Sequence, residues 1–169
     1  MFFISSSILF MITIRKITKQ DNATIAAIIR GCLKEFNVDK PGTVYYDEST
    51  DHLYELFNTP LSTYFIAELE GKTVGGAGIF PSDGLPQHTC ELVKMYLLPE
   101  ARQSGIGATL MNECLVSAKQ NGYNKIYLET FPELKRAILV YKKFNFTHLE
   151  NPLGNTGHHG CTVWMSRVL

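Results

Sequence analysis

The stretch that most constrains this chain is the change of period between Cys90 and Gln120. Cys90 to Leu98 reads as a strand that ends at Pro99. From Gly105 the apolar positions restart at helical spacing, with Ile106, Leu110, Met111, Cys114, Leu115 and Ala118 on one face, until Asn121-Gly122 stops the helix. A strand that feeds a helix in this way belongs to a layered mixture of sheet and helix. The connection passes through Gly105-Ile106-Gly107. The first turn of such a helix offers unpaired N–H groups and the positive end of the dipole, which favour a phosphate or pyrophosphate. Glycines let the ligand approach the backbone, and Arg102 adds a positive charge. A Rossmann fingerprint fits poorly, because Leu110 stands where a third glycine or an alanine is wanted, and no Gly-Lys-Ser/Thr ending marks a Walker loop.

The remaining periodicities complete a domain. Ile12 to Ile17 alternates as a strand, Asp21 or Asn22 can cap a helix, and Ile25, Ile28, Ile29, Cys32, Leu33 and Phe36 form one apolar helix face. A shorter helix is expected from Ser49 or Thr50, with Leu53, Leu56 and Phe57 inward. Tyr64 to Leu69 and Thr73 to Phe80 read as a hairpin around Glu70-Gly71-Lys72. Lys125 to Thr130 is a strand, Glu133 to Phe144 a helix, and Phe146 to Leu149 and Thr162 to Val168 are the last strands. The order β-α-α-β-β-β-α-β-α-β-β implies a mixed sheet flanked by helices.

With 169 residues, 45% of them apolar, the chain can bury a core without disulfides, and 16 basic against 16 acidic residues give no support for nucleic-acid binding. Cys32, Cys90, Cys114 and Cys161 show no CxxC spacing, so neither a zinc knuckle nor a redox pair is written here. Met1 to Ile14 carry no charge. However, no basic residue precedes this apolar run, no small-residue cleavage site closes it, and Arg15-Lys16 follow on the wrong side for an export signal. Residues 1–10 are expected to be an extension before a single domain over 11–169. Reduced thiols, a cytoplasmic location and no membrane partner are expected with it.

Two blocks carry a family resemblance. Arg102-Gln103-Ser104-Gly105-Ile106-Gly107, after Tyr96-Leu97-Leu98-Pro99, resembles the Arg/Gln-x-x-Gly-x-Gly/Ala loop of the GNAT N-acetyltransferases. Ala137 to Phe146 resembles the same family's Ala-x-x-x-Tyr-x-x-x-Gly-Phe helix end. The resemblance covers Ile12 to Val168 and implies the GNAT-like α/β (α+β) fold, a mostly antiparallel central sheet flanked by helices. It implies acetyl-CoA as co-substrate. Met95, Tyr96 and Leu97 at the strand end and Arg102, Gln103, Ser104, Gly105, Ile106, Gly107 and Ala108 in the loop would bind it. Asn145 replaces the family glycine at a position that wants a left-handed residue, for which Asn is the next best choice. Leu134 stands where many members carry an Asn that contacts the cofactor, so that contact is expected to be missing or supplied differently.

The resemblance makes Tyr141 the candidate acid for the departing thiolate and Glu129 the candidate base for the amine, with Glu91 as runner-up. Alternation puts Glu129 on the face of Tyr127. Lys94 reads as a paired or snorkelling lysine. The segments 39–47, 81–88 and 151–161 are the loops that could shape an acceptor pocket. His158-His159 with Cys161 lack a further ligand at metal spacing, so no metal is expected. A carboxylate-bearing amine would suit the histidines. The implied activity is direct acetyl transfer to a primary amine of a small metabolite, with a homodimer compatible with the family. The competing class is a CoA-binding sensor or scaffold module without catalysis.

Overall fold

The computed structural model describes residues 11–169; the expected extension over 1–10 lies outside the described residues. Along the chain run β1 (Ile12–Lys16), α1 (Asn22–Glu35), α2 (Leu53–Leu56), β2 (Thr63–Leu69), β3 (Lys72–Phe80) and β4 (Thr89–Leu97). They are followed by α3 (Ile106–Gln120), β5 (Lys125–Thr130), α4 (Lys135–Lys143), β6 (Thr147–Leu149) and β7 (Val163–Val168). The strands form one seven-stranded sheet in the order β1-β2-β3-β4-β5-β7-β6. Only β4 and β5 pair in parallel, joined by the crossover through α3.

Strand alternation divides the core between the two faces. Phe65 and Ala67 of β2, Leu92 of β4 and Ile126 and Leu128 of β5 pack with Leu110, Met111 and Cys114 of α3. Tyr64 and Ile66 of β2 and Val93 of β4 pack on the other face with Ile25, Ile29 and Leu33 of α1. Each fully buried aliphatic side chain contributes about 1.5–3 kcal/mol by leaving water.

Two irregularities of the central strands position the site. Gly76 and Gly78 of β3 lie against the Tyr64 ring, where a Cβ on either would come within 2.6 Å of it. The bare backbone lets the ring cross β3, and its hydroxyl donates to the Lys94 carbonyl at 2.8 Å. Opposite Ala77, β4 carries a bulge: Gly78 pairs with Val93 and Gly76 with Tyr96, so Lys94 and Met95 share one partner position. Lys94 takes the left-handed φ of 51° there. The second irregularity is a split. β5 pairs with β4 only at Thr89, Cys90 and Glu91, through Lys125, Ile126 and Tyr127. Beyond Glu91 the strands part, and Leu92–Leu97 have no β5 partner.

Local details refine the expectations from sequence. Asp21 precedes α1 but does not cap it with its side chain. Its carboxylate instead accepts from the Thr18 N–H at 2.7 Å and from Arg15 at 2.8 Å. The expected helix from Ser49 begins as a 3-10 turn over Glu48–His52, and the α-helix proper is Leu53–Leu56. Asn145 has the expected left-handed φ, 62°, and the Phe146 N–H donates back to the Tyr141 carbonyl at 3.0 Å, closing α4.

Candidate active site

At the end of β4, the loop to α3 presents backbone rather than side chains. Gly105 precedes the helix at φ 88°, a conformation that glycine adopts without a Cβ penalty. It offers no side-chain cap, and the first turn of α3 holds no acidic residue, so the amino end of a 15-residue helix is left to an external anion. A Cβ at Gly105 would meet nothing within 4 Å, which places open space beside the loop. Ile106 is buried in the core, and Gln103, Ser104 and Ala108 are exposed. Met95 and Leu97 pack into the core beneath α3, and Tyr96 packs into the core beneath α1. These strand residues therefore offer a ligand in the split their main chain. Arg102 does not stand free at the mouth. Its guanidinium pairs with both Glu35 oxygens at 2.6 and 2.7 Å and donates to the Leu97 carbonyl at 2.9 Å. Its charge ties the end of α1 to the end of β4.

Where β4 and β5 part, a cluster of ionisable groups faces the α1 side. Glu91, Glu129 and His158 bring one ligand-type atom each within 4.8 Å of one another. Glu91 is buried and accepts a hydrogen bond from the Ser82 hydroxyl. Glu129 is half-buried, and the Tyr127 hydroxyl donates to it at 2.7 Å while accepting from the Leu153 N–H at 3.1 Å. Burial raises the Glu129 carboxyl above the ordinary 4.5, against the Tyr127 hydrogen bond, which lowers it. For His158, burial alone would lower the imidazole; its contacts with Asp47 at 3.4 Å and Glu91 at 3.8 Å outweigh that and raise it to about 9. The ring is protonated at neutral pH and bridges two carboxylates as a cation. Asp47 is held below the usual carboxylate range by His158 and by Lys94, whose ammonium lies 3.6 Å away.

Asp47, Glu91, Lys94 and His158 line a cavity of about 210 Å³, and Glu129 reaches to within 4.8 Å of Glu91 and His158. All three loops singled out from sequence contribute to its wall: Asp47 from the first, Ser82 and Asp83 from the second, and Asn155, Thr156 and His158 from the third. Glu91, Val93 and Lys94 supply its floor from β4. His159 and Cys161 do not join His158 in the ionisable cluster; its partners are two carboxylates remote in sequence. Burial and nearby Glu129 push the Cys161 thiol up to about 12, so it is no thiolate at neutral pH.

Tyr141 lies apart from this group. It sits on α4 with the core of the α3 face, its ring 5.9 Å from that of Phe146, whereas Glu129 shares the opposite face with Tyr127. Burial raises its hydroxyl. Among the described residues, every fully buried side-chain oxygen or nitrogen has a hydrogen-bond partner. The Tyr141 hydroxyl has none among the described residues, and so it opens on accessible space. Sequence reasoning named Glu129, Glu91 and Tyr141 as candidates and placed Asp47 in a loop that could shape the pocket, but assigned no part to Tyr127. Tyr127 was signalled only by its position two residues before Glu129 on one strand face.

Residues 29–146 match the family model described as the Acetyltransferase (GNAT) family. An uncharacterized N-acetyltransferase of Escherichia coli, YjgM, is 41% identical over 157 residues, covering 92% of this chain and 93% of its own. Among solved structures, an acetyltransferase of the GNAT family from Staphylococcus aureus superposes with a TM-score of 0.82 at 17% identity, covering 94% of this chain and 99% of that one. The structure of yncA from Salmonella typhimurium with its cofactor acetyl-CoA superposes with a TM-score of 0.72 at 17% identity, covering 94% of both chains. The open loop at α3, the split sheet and these kinships agree: the chain belongs to the GNAT family of N-acetyltransferases.

Proposed function

We propose that this enzyme moves the acetyl group of acetyl-CoA directly to the primary amine of a small metabolite, with Glu129 as general base and Tyr141 as general acid. The observation that carries the reading is Glu129: a half-buried carboxylate, more basic than usual, beside a cavity at the point where β4 and β5 part. Acetyl-CoA supplies an activated acetyl thioester. Its pyrophosphate suits the N–H groups of 103–108, and its pantetheine arm suits the unpaired edge of β4 at Met95–Leu97. The acceptor arrives as an ammonium, and Glu129 takes one proton. The freed amine lone pair attacks the acetyl carbon, the carbon–sulfur bond breaks, and the leaving thiolate takes the Tyr141 proton; the second proton of the acceptor nitrogen then leaves as the amide forms and restores the tyrosine, and Glu129 releases its proton to water. Glu91, held by Ser82 and His158, is less free to act as base.

Thiol release from acetyl-CoA across an amine library tests the reading. Glu129→Gln and Tyr141→Phe are each expected to lower kcat by about a hundred- to ten-thousandfold while acetyl-CoA still binds. Full turnover in Tyr141→Phe would remove the acid assignment. Tight CoA binding with no thiol release for any amine would favour a binding module.

A further inference from the structure

We propose that Lys94 is a specificity-determining residue that receives a carboxylate of the acceptor, so that the acceptor is a compact amino acid rather than a simple amine or a polyamine. The inference rests on the acetyl-transfer reading above and names the substrate class for the same site.

Lys94 is a buried cation of the cavity wall whose binding capacity is not filled. Its side chain is 4% exposed, yet its ammonium makes no hydrogen bond among the described residues. Its charged neighbour, Asp47 Oδ2, stands at 3.6 Å, and the same oxygen faces His158 Nε2 at 3.4 Å. Asp47 is thus shared between Lys94 and His158, and Glu91 is the second carboxylate of His158. An ammonium carries three N–H donors, and burying them unpaired is costly unless a ligand completes them. Because every sealed polar side-chain atom among the described residues has a partner, the Lys94 nitrogen is open to the cavity that it lines.

The backbone holds it there. The β4 bulge puts Lys94 at φ 51°, and the Tyr64 hydroxyl on its carbonyl fixes that turn. A bulge of this kind re-aims a side chain from the strand's ordinary alternation.

The cavity wall carries both signs of charge. Glu91 and His158 line it beside Glu129, where an ammonium would lose its proton. Lys94 adds a buried positive charge to the same wall, beside Asp47. At about 210 Å³ the space is below the roughly 300–1,000 Å³ of drug-sized sites. A zwitterion with its two charges a few bonds apart matches both the size and the polarity. A polyamine would set a second cation against Lys94.

The test compares, for each L-amino acid, the free acid, its carboxamide and its decarboxylated amine as acceptors for thiol release. The wild-type enzyme is expected to favour the free acid over its carboxamide by about ten- to a hundredfold in kcat/KM, the range of a charge-assisted hydrogen bond. Lys94→Met should raise KM for the acid much more than it lowers kcat and should collapse the acid-over-amide ratio. Lys94→Arg should retain most of that ratio. The wild-type comparison stands even if a variant folds poorly. Equal turnover of acids, amides and amines by wild type would overturn the Lys94 assignment and leave acetyl transfer intact. Absence of thiol release with every class, while CoA binds by calorimetry, would overturn the transferase reading and this inference with it.

Discussion

Tyr127 is the residue through which the proposed base would be tuned from outside the reacting atoms. Its hydroxyl is a relay: it accepts from Leu153 and donates to Glu129 at 2.7 Å. That donated bond stabilises the ionised carboxylate and opposes the upward push of burial. A general base works only when deprotonated, so kcat/KM should climb with pH through a value above the ordinary 4.5 of a glutamate. Tyr127→Phe removes the opposing bond, and the acid limb of the profile should move to higher pH, with the plateau less affected than in Glu129→Gln. An unmoved limb with a uniformly lower plateau would make Tyr127 a packing residue only. Glu129 and Tyr141 were legible as candidates because residue type, strand end and helix face coincide with a family motif. The grouping of Asp47, Lys94 and His158 was not, because it joins a loop, a bulge and a second loop more than a hundred residues apart. No local pattern encodes where a bulge will turn a lysine.

At the scale of elements, the long periodic segments declare themselves and the short ones depend on tertiary partners. α1 and α3 carry apolar faces over 14 and 15 residues, and packing of such faces overrides propensity. The four residues of α2 have no such face of their own; the Tyr54 N–H donates to the Asn22 side chain at 2.8 Å, so α1 fixes where α2 begins. Asp21 is the clearest case of a tertiary contact overriding a local role. It is buried, and it links the strand β1 to the entry of α1 through Arg15, which also reaches Glu68 on β2 at 2.7 Å. Arg15 first, then the Thr18 hydrogen bonds, lower its carboxyl from 3.8 to about 2 despite burial. A depressed carboxylate stabilises the fold above its unfolded value and loses that contribution as pH falls through its folded value. The window is therefore about pH 4 down to 2. At pH 7 the shift corresponds to about 2 kcal/mol. Asp21→Asn should lower the urea unfolding free energy by about that amount at pH 7, and the gap to wild type should close near pH 2. A gap that stays constant across this window would assign the loss to packing instead.

Taken as a whole, the molecule is one sheet with a seam. Strands β1 to β4 and strands β5 to β7 meet through three residue pairs of one parallel ladder, and past Glu91 that ladder is open. The crossover through α3 puts the helix amino end at the mouth of this opening, because a parallel return must carry the chain back over the sheet. Fold and ligand are thereby coupled. A ligand seated on the 103–108 amides and along Leu92–Leu97 would supply the partners that β5 withholds, binding the native sheet and not the unfolded chain. At a hundred times its Kd, acetyl-CoA should then stabilise the protein by about 2.7 kcal/mol. For a chain of 169 residues that is a rise in Tm of about 5–10 °C. Hydrogen exchange separates this seam-bridging mode from diffuse stabilisation. Protection should grow first at the amides of 103–108 and 92–97, before any slowing in β1 or β6 at the sheet's two edges. Protection that rose evenly over the whole sheet, or only around the cavity at His158, would mean that the cofactor enters elsewhere and that the open strands are held apart for another reason.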